Sequence, residues 1–371
     1  MVIKTSVLQP YCSVLNTSID ISKYVTTSDV IEIKAENNNF YLSMTNGEYY
    51  VRIHFPADES DNFYASVNAT TFLKLISKIT TDTVLFSVDN NTLYINANGK
   101  YKLPLVFEDE KMVTLPEMEI KEVTTKFDLS SMVLKDISVY NGSQMNSGVI
   151  TNIIQKLYYV DNEGAITFSA GACVNNFQVQ NPFKILINQK LVNLFKLFDD
   201  ETVHVSIGQD KLSEDIVQTK LRIEGSAVDI TAALSCDDSM LNAVPATIIR
   251  NRANKSYPYN VNVGSNVFKD AINRLLIFAD SNLHNYLKVV FTEKNIVISN
   301  LDKDNSEAIA YTASEGVTED LSYECVIDAG DLLNILNTYK TSAINISFGD
   351  KEALVLKYTN IVNVVPEVDM E

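Results

Sequence analysis

The feature that most constrains the fold is a short unit of one strand, one helix and three strands, which returns along the chain. Its clearest copy occupies residues 63–105. An alternating stretch at 64–67 predicts a strand, and Asn68 offers an N-cap for the helix that follows. Three further alternating stretches come next, and Asn98-Gly99 between the last two is a strong hairpin signal. The unit therefore reads β-α-β-β-β.

The same pattern recurs six times at nearly even spacing. The predicted helices begin near residues 8, 70, 131, 189, 266 and 330, and the first is a weaker copy interrupted at its start by Pro10. One gap is longer because residues 235–256 read as an inserted linker, and an earlier boundary falls in the acidic, proline-marked stretch 108–122. Repeats at such a period indicate stacked copies of one supersecondary unit. We therefore predict an α+β chain of three domains, with two units in each, at 1–118, 119–240 and 241–371.

Each of the better helices has one apolar face. In the helix over 71–79 the apolar residues recur at i, i+3, i+4 and i+7, so this face must pack on a sheet. Lys74 and Lys78 stand one turn apart on the opposite face. The residues predicted to turn inward from three helices are Phe72, Leu75, Ile76 and Ile79; Leu191, Leu194, Phe195 and Phe198; and Val267, Phe268, Ala271, Ile272 and Leu275.

Charge is divided unevenly between the helices and the rest of the chain. The net charge is −17, from 30 basic and 47 acidic residues, which at first argues against binding to phosphates. The helices carry eight basic and three acidic residues, so they sum to +5 and the remainder to −22. A lysine on a polar helix face is usually just solvated, but the repetition favours helices that face DNA. The candidate DNA-facing residues are Lys74, Lys78, Lys135, Lys190, Lys196, Lys269, Arg274 and Lys340.

Two of these candidates have an alternative interpretation. Lys135 has Asp136 beside it in the sequence and is predicted to pair with it. Lys340 falls near the apolar stripe by helical angle, so it can instead stabilise the C-terminus of the last helix.

Other functional classes lack their sequence signals. The four cysteines (Cys12, Cys173, Cys236 and Cys325) lie far apart and are predicted to be free core thiols, not zinc ligands. The motifs of zinc proteases, serine hydrolases and phosphate-binding loops do not occur. There is no apolar run of ~18 residues and no signal-peptide pattern, so we expect a cytoplasmic protein. We predict a non-enzymatic protein with no catalytic residue, metal or cofactor.

Several stretches, in order and over the whole chain, resemble one protein family. They are Ser66-Val67-Asn68-Ala69 with Phe72-Leu73-Lys74-Leu75-Ile76, Lys100-Tyr101-Lys102-Leu103-Pro104, Lys220-Leu221-Arg222-Ile223-Glu224-Gly225 with Asp229, Ala271-Ile272-Asn273-Arg274 with Ile277-Phe278-Ala279, Asp328-Ala329 with Leu332-Leu333-Asn334-Ile335-Leu336, and Val364-Val365-Pro366. In order and spacing they are similar to the bacterial replicative sliding clamp, the β subunit of DNA polymerase III.

The resemblance implies an architecture and a function. Clamp chains of three domains form a head-to-tail homodimer, and the ring encloses duplex DNA with helices on the inside and antiparallel sheets outside. The implied partners are double-stranded DNA of any sequence, a replicative DNA polymerase, a clamp loader and a second copy of the chain, with no membrane. Contacts limited to backbone phosphates carry no sequence information, which suits sliding.

The resemblance also implies a pocket for short peptide motifs of partner proteins. Val364, Val365 and Pro366 match its C-terminal wall, Gly171 and Phe177 its second-domain wall, and Pro245 the interdomain segment. The stretch 170–176 lacks the histidine and arginine common in the family, and the tail 367–371 is acidic. These departures are typical of a divergent clamp, and a phage-encoded version fits them.

Two other functions stay open at this point. One is a scaffold built from β-rich repeats, which predicts no segregation of positive charge onto the helices and no ring of defined size. The other is a clamp-like protein that binds replication proteins without encircling DNA and would be a monomer. If the chain forms a ring, edge strands near 101–106 and 308–312 are candidates to pair between copies.

Overall fold

A computed structural model describes residues 1–18, 21, 25–57, 62–145, 152–211, 213, 217–234, 237–279 and 285–370. The chain divides into two compact units. Unit 1 comprises Met1–Lys135, Val179–Phe183 and Ile187–Cys236, and unit 2 comprises Asp136–Gln178, Lys184–Leu186 and Asp237–Glu371.

The six copies of the β-α-β-β-β unit are confirmed. The strands of the described chain are β1 Val2–Lys4, β2 Val30–Glu36, β3 Asn39–Thr45, β4 Tyr49–Pro56, β5 Phe63–Asn68, β6 Thr83–Asp89, β7 Thr92–Asn96, β8 Lys100–Pro104, β9 Phe107–Glu108, β10 Lys111–Met112, β11 Val123–Ser130, β12 Leu157–Asp161, β13 Gly164–Phe168, β14 Ala172–Asn176, β15 Lys184–Asn188, β16 Thr202–Lys211, β17 Val217–Glu224, β18 Val228–Leu234, β19 Tyr259–Gly264, β20 Tyr286–Thr292, β21 Asn295–Ser299, β22 Ser306–Ala310, β23 Ala313–Glu315, β24 Ser322–Asp328, β25 Ala343–Phe348, β26 Ala353–Tyr358 and β27 Ile361–Pro366, of which β9, β10 and β23 lie outside the six copies. The helices are α1 Thr5–Ser18, α2 Ala69–Ile76, α3 Ser131–Asp136, α4 Gly142–Met145, α5 Gln189–Leu194, α6 Asp238–Ala243, α7 Ala246–Asn254, α8 Ser265–Leu275 and α9 Ala329–Leu336. Short 3-10 turns lie at Thr26–Asp29, Ile153–Lys156, Phe195–Leu197 and Leu276–Phe278, and a π-turn at Ile137–Asn141.

Polar caps fix where the helices begin. The Asn68 side chain accepts a hydrogen bond from the Thr71 N–H at the start of α2, as the sequence predicts. Asn188 does the same at the start of α5. Asp328 accepts from two N–H groups at the start of α9. Such caps replace the hydrogen bonds that the first turn of a helix lacks, and each contributes about 1 kcal/mol.

Unit 1 contains two main antiparallel sheets and a small hairpin. The larger sheet has eight strands in the order β11-β16-β17-β18-β4-β3-β2-β5, the smaller has the order β1-β6-β7-β8, and β9 pairs with β10. Helix α1 contacts α2 and α5. Phe86 lies between Phe40 and Phe72, with ring centroids 5.5 and 6.2 Å away, and all three rings are fully buried.

Unit 2 repeats this plan. A nine-stranded sheet has the order β15-β12-β13-β14-β27-β26-β25-β19-β23, and a four-stranded sheet has the order β22-β21-β20-β24. Helix α9 contacts both α8 and α4. The stripe that predicts α8 as a core helix is confirmed, because Phe268, Ala271, Ile272 and Leu275 are buried.

Neighbouring copies are interlocked by their first strands. In chain order, copies 1 to 6 comprise β1–β4 with α1, β5–β8 with α2, β11–β14 with α3, β15–β18 with α5, β19–β22 with α8, and β24–β27 with α9. β1 of copy 1 pairs with β6 of copy 2, while β5 of copy 2 pairs with β2 of copy 1. The same exchange joins β11 to β16 and β15 to β12, and then β19 to β25 and β24 to β20. The copies therefore associate in three pairs. This pattern supports the predicted grouping into domains of two copies, whose boundaries stay a prediction.

The last strands of the copies pair differently. β4 of copy 1 pairs with β18 of copy 4, and β14 of copy 3 pairs with β27 of copy 6, both antiparallel. Copies 2 and 5 end in β8 and β22, and among the described strands each of these has a neighbour on one side only. The edges of β8 and β22, which occupy the same position in the repeat, are thus open among the described strands.

Three predictions of local structure are wrong in detail. The first helix begins before residue 8 and is not interrupted at Pro10, since α1 runs from Thr5 to Ser18 with Pro10 inside it. The predicted linker holds the helices α6 and α7. Val267 is 55% exposed instead of buried, because it directly precedes Phe268 and so lies about 100° from the apolar stripe.

The cysteines and the membrane prediction can be checked over part of the chain. Cys12, Cys173 and Cys325 are free and buried, and burial raises the pKa of each thiol well above its usual value. Cys236 lies outside the described residues. Over the described ranges, no helix has both the length and the apolar character needed to span a bilayer.

The core of unit 2 should be sensitive to loss of one aromatic ring. Phe291 is fully buried and stacks on Phe348 with ring centroids 3.9 Å apart. We expect Phe291→Ala to lower the free energy of unfolding by about 3–5 kcal/mol, because a cavity replaces the ring. Urea unfolding measures this, with the 40% exposed Phe107→Ala as control. Equal midpoints for the two variants would contradict the described packing.

Candidate functional site

The helices of unit 1 carry exposed lysines on the side away from the core. Lys74 lies on α2, Lys78 just after it, and Lys196 in the 3-10 turn that follows α5; all three are exposed. Over the described part of the chain, none of the three ammonium groups has a hydrogen bond or an ion pair. They are therefore available for a phosphate, the group that an unpaired ammonium binds through charge and hydrogen bonds.

The other candidate cations differ in exposure and in ion pairing. Lys190 and Lys269 are half-buried, whereas Lys340 is exposed and lies four residues beyond the end of α9. Lys135 is ion-paired, but with Asp199 at 2.8 Å and not with the adjacent Asp136. Successive residues of a helix point in different directions, which explains why Asp136 is not the partner.

Arg274 on α8 is held by a carboxylate. Its Nε and one terminal nitrogen donate to the two oxygens of Glu307 at 2.8 and 2.6 Å. The same guanidinium lowers the pKa of Glu307. A phosphate would have to compete with this bidentate pair, so Arg274 contributes less free positive charge than the exposed lysines of unit 1.

A cavity of about 110 Å³ lies in unit 2 beside the C-terminal strand β27. Four predicted pocket residues come together around it: Gly171, Val364, Val365 and Pro366. The other residues around it are Gln144, Ala170, Tyr286, Asp328, Asp331, Ile335 and Val368. We call this set the tail pocket. Its floor is apolar, since Ile335 and Val365 are nearly fully buried.

Gly171 allows two walls of the tail pocket to approach each other closely. A Cβ atom on Gly171 would lie 2.5 Å from the carbonyl oxygen of Val364 and 3.3 Å from Cδ of Pro366. Both distances are below an ordinary van der Waals contact, so a side chain here would force the strand away. The turn between β13 and β14 therefore needs a glycine at this position.

Two aspartates at the start of α9 make one side of the tail pocket acidic. Asp328 caps the helix by accepting hydrogen bonds from the N–H groups of Gly330 and Asp331 at 2.9 and 3.1 Å. Burial, and then the neighbouring Asp328 carboxylate, raise the pKa of Asp331 to about 6. Over the described residues, no donor or cation is paired with the Asp331 carboxylate.

This raised pKa gives a testable dependence of stability on pH. The folded chain binds a proton at Asp331 more readily than the unfolded chain, so ionised Asp331 opposes folding at neutral pH. We expect Asp331→Asn to be more stable than the wild type at pH 8, and the difference to shrink as pH falls through about 6. Urea midpoints at pH 8 and pH 5 measure it, with the exposed Asp89→Asn as control. A difference that grows at low pH would contradict the described environment of Asp331.

Phe177 and Pro245 do not line the tail pocket. Gly171 precedes β14 and Phe177 follows it, so the extended strand separates them by roughly 20 Å at 3.3 Å per residue. The Phe177 N–H donates to the Glu163 carbonyl. Pro245 lies at the start of α7 and lines a second cavity of about 480 Å³.

This second cavity is dominated by paired charges. Arg250 lies in it and donates to both oxygens of Asp161, at 2.8 and 2.6 Å, and its other neighbour is Glu163 at 3.2 Å. The Arg250 side chain is 15% exposed and that of Asp161 6%. Removing Arg250 would leave the largely buried Asp161 carboxylate without its counter-ion, so this pair has a structural role.

The open edges of β8 and β22 present backbone groups to solvent. The Leu105 N–H donates to the carbonyl of Asn91, which directly precedes β7, and the Tyr311 N–H donates to the carbonyl of Lys294, which directly precedes β21, so both residues bond inward. Hydrogen-bonding direction alternates along a strand, hence the N–H and C=O of alternate residues point outward. The outward set is Lys100, Lys102 and Pro104 on β8, and Ser306, Ala308 and Ala310 on β22. Pro104 has no N–H and therefore presents only its carbonyl.

Apolar side chains near one open edge are also exposed. Helix α8 contacts β22, and the turn that follows α8 leaves Ile277 and Phe278 exposed by 78% and 53%. Val267 on α8 is exposed as well. Exposed aliphatic and aromatic side chains beside an unpaired strand are typical of a protein interface.

The sequence analysis did not predict that Asp328 and Asp331 line the tail pocket. Asp328 could be assigned as a helix cap, but nothing in the linear pattern connects Asp331 with Gly171 or Val364. The only signal is that Asp331 sits in the first turn of the helix in the same copy as β27. Over the described residues, no three Asp, Glu, His or Cys side chains are grouped as a metal site would need.

Comparison with known proteins identifies the fold. No protein-family model and no curated protein sequence matches the chain. Solved structures do match it from end to end. They include the beta subunit from DNA polymerase of Streptococcus pyogenes (TM-score 0.75, 13% identity), DNA polymerase III beta subunit from Thermotoga maritima (0.74, 12%) and DNA polymerase sliding clamp from Bacillus subtilis (0.70, 17%). Each match covers 100% of this chain and 99% of the other. The chain therefore has the sliding-clamp fold, and the resemblance seen in the sequence is confirmed at the level of the fold.

Proposed function

We propose that this chain is a DNA sliding clamp, a non-enzymatic processivity factor that encircles duplex DNA and tethers a replicative polymerase in the cytoplasm. The observation that carries the proposal is the arrangement of strand edges within the clamp fold. The last strands of copies 1 and 4 pair, as do those of copies 3 and 6, and only copies 2 and 5 leave theirs open among the described strands.

Ring closure follows if β8 of one chain pairs with β22 of another. The two junctions seen within the chain are both antiparallel, and β8 and β22 occupy the same position in the repeat as the strands that form them. The contact is head-to-tail, because each chain offers two different edges. Repeating such a contact gives a closed ring when the rotation from one chain to the next leads back to the first chain. In a dimer, both open edges of both chains would be paired.

Duplex DNA would be held by the lysines of the helices. Lys74, Lys78 and Lys196 have no partner over the described residues, and the chain outside the helices is strongly acidic. Cations on the helices would contact backbone phosphates without reading the bases, while the acidic remainder repels DNA. Individually weak phosphate contacts allow sliding, and enclosure supplies the long residence time.

Partner proteins would dock at the tail pocket. Gly171, Val364, Val365 and Pro366 surround it, as the resemblance to clamps implies. We infer that a polymerase and a clamp loader bind there in turn through short segments, the loader being needed because a closed ring has to be opened around DNA.

Two measurements on the full-length chain test the proposal. Light scattering at micromolar concentration gives the mass in solution, which we expect to be that of a dimer. Retention is then compared on nicked circular and linearised DNA after loading. A clamp stays on circles and runs off linear ends. A monomer, or equal retention on both DNA forms, would favour the clamp-like binding protein or the repeat scaffold instead.

A further inference from the structure

The tail pocket combines an apolar floor with an acidic side and has no basic side chain. Ile335, Val364, Val365 and Pro366 supply the apolar surface, and Asp328 and Asp331 the charge. Among the described residues that line it, none is lysine, arginine or histidine. The chain that follows Pro366 adds Glu367 and Asp369 in the sequence.

The two aspartates are not equivalent. Asp328 is engaged with its own helix, because two backbone N–H groups donate to its Oδ1. Asp331 is half-buried and has no hydrogen-bond donor or cation beside its carboxylate over the described residues. A half-buried carboxylate without a donor is unfavourable, and an incoming cation would relieve this cost.

The volume of the tail pocket limits what it can hold. It is about 110 Å³, below the ~300–1,000 Å³ that is usual for sites of drug-sized molecules. A space of this size suits one aliphatic side chain of an extended peptide. The carboxylates at the start of α9 would then face the next side chains of the same peptide.

We propose that the tail pocket selects a partner segment in which a lysine or arginine stands next to, or one residue away from, an aliphatic side chain. The apolar side chain rests on Val364 and Val365, and the cation pairs with Asp331. The inference rests on the proposed function only in assuming that the partner is a replication protein. Acidic partner segments are disfavoured by like-charge repulsion.

Unbiased selection tests the preference. A random heptapeptide library displayed on phage is selected against the immobilised full-length chain, and in parallel against the double variant Asp328→Asn, Asp331→Asn. Asparagine keeps the helix cap and removes the charge, so folding should be preserved. The matched control is Glu108→Gln, Asp109→Asn, which removes two exposed charges in unit 1.

The expected result has three parts. Peptides enriched on the wild type and on the control carry a basic residue within two positions of an apolar one. The best of them is labelled with a dye, and its binding is measured by fluorescence anisotropy. It binds the wild type about tenfold more tightly than the double variant, because the double variant lacks the carboxylate that accepts a charge-assisted hydrogen bond. Replacing its basic residue by glutamine lowers affinity for the wild type by the same factor and leaves affinity for the double variant unchanged.

Other outcomes would overturn the inference. These are enrichment of uncharged or acidic peptides, no enrichment at all, and equal affinity of the best peptide for wild type and double variant. The proposed clamp function is judged separately, by mass and by retention on circular DNA, neither of which involves a peptide. A ring that stays on circles yet selects acidic peptides would refute only the present inference, and a monomer that selects basic peptides would refute only the clamp.

Discussion

Ala308→Pro is expected to convert the dimer into single chains that are no longer retained on circular DNA. Ala308 is exposed on the open edge strand β22, and its N–H points away from β21. Proline removes that N–H and places its ring in the path of an incoming strand. The hydrogen bonds within the sheet use Glu307 and Ile309, so they stay intact, and proline is tolerated on such an edge.

The size of the effect follows from the interface. An unpaired carbonyl in the opposing strand costs about 1–3 kcal/mol, and the steric clash adds to it, so the dimer dissociation constant should rise by at least ~10-fold. Because a head-to-tail ring has two such junctions, both are weakened at once. Light scattering over a dilution series measures the dissociation constant, and retention on nicked circular DNA measures the consequence.

A matched control separates edge pairing from damage to the sheet. Ala308→Val keeps the N–H and suits a strand, so it should remain a dimer and stay on circles. Urea midpoints should be similar for the two variants, because neither loses a bond within the chain. A dimeric Ala308→Pro variant with normal retention would show that β22 is not the ring interface.

Neutralising the three free lysines of the unit 1 helices should weaken DNA binding strongly. In the triple variant Lys74→Gln, Lys78→Gln, Lys196→Gln, each change removes a cation that has no partner over the described residues. We expect the affinity for duplex DNA at low salt to fall by ~10-fold or more. The slope of log affinity against log salt should decrease by about 0.9 for each phosphate that the protein no longer neutralises.

Three exposed lysines elsewhere provide the control for net charge. Lys111→Gln, Lys156→Gln, Lys211→Gln changes the total charge equally but lies outside the six helices of the repeats. This variant should keep both the affinity and the salt slope of the wild type. Equal losses in the two triple variants would mean that DNA senses the overall charge only, and the helices would have no special role. Light scattering confirms that each variant is still a dimer.

The repeat could be predicted from the sequence because its signals are local. Alternation marks the strands, and the cap at Asn68 and the turn at Asn98-Gly99 mark the ends of elements within a few residues. Which residues of α8 face the core was harder to predict. Val267 directly precedes the buried Phe268, and counting it with the apolar face places an exposed residue in the core. The helices α6 and α7 were missed because their short, polar sequences have weak periodicity.

The site could be predicted only in part, because it depends on pairings between distant strands. Gly171 and Val364 come together since β14 pairs with β27, which places Ala172 opposite Val364. Family resemblance suggested this proximity, whereas residue patterns alone could not. The role of Asp331 could not be seen, because burial without a partner is a property of the folded surroundings.

The interlocked strands also bear on how the chain is made. Strand β14 pairs with β27, and Asn176 is bonded to Asn360, 184 residues further along. At about 5–20 residues per second, the ribosome needs roughly 10–40 s to supply that partner. During this interval β14 has an unprotected edge on a nascent chain. Early release or a stop codon before β27 would therefore give an aggregation-prone fragment, and a chaperone that shields strand edges would raise the yield of full-length protein.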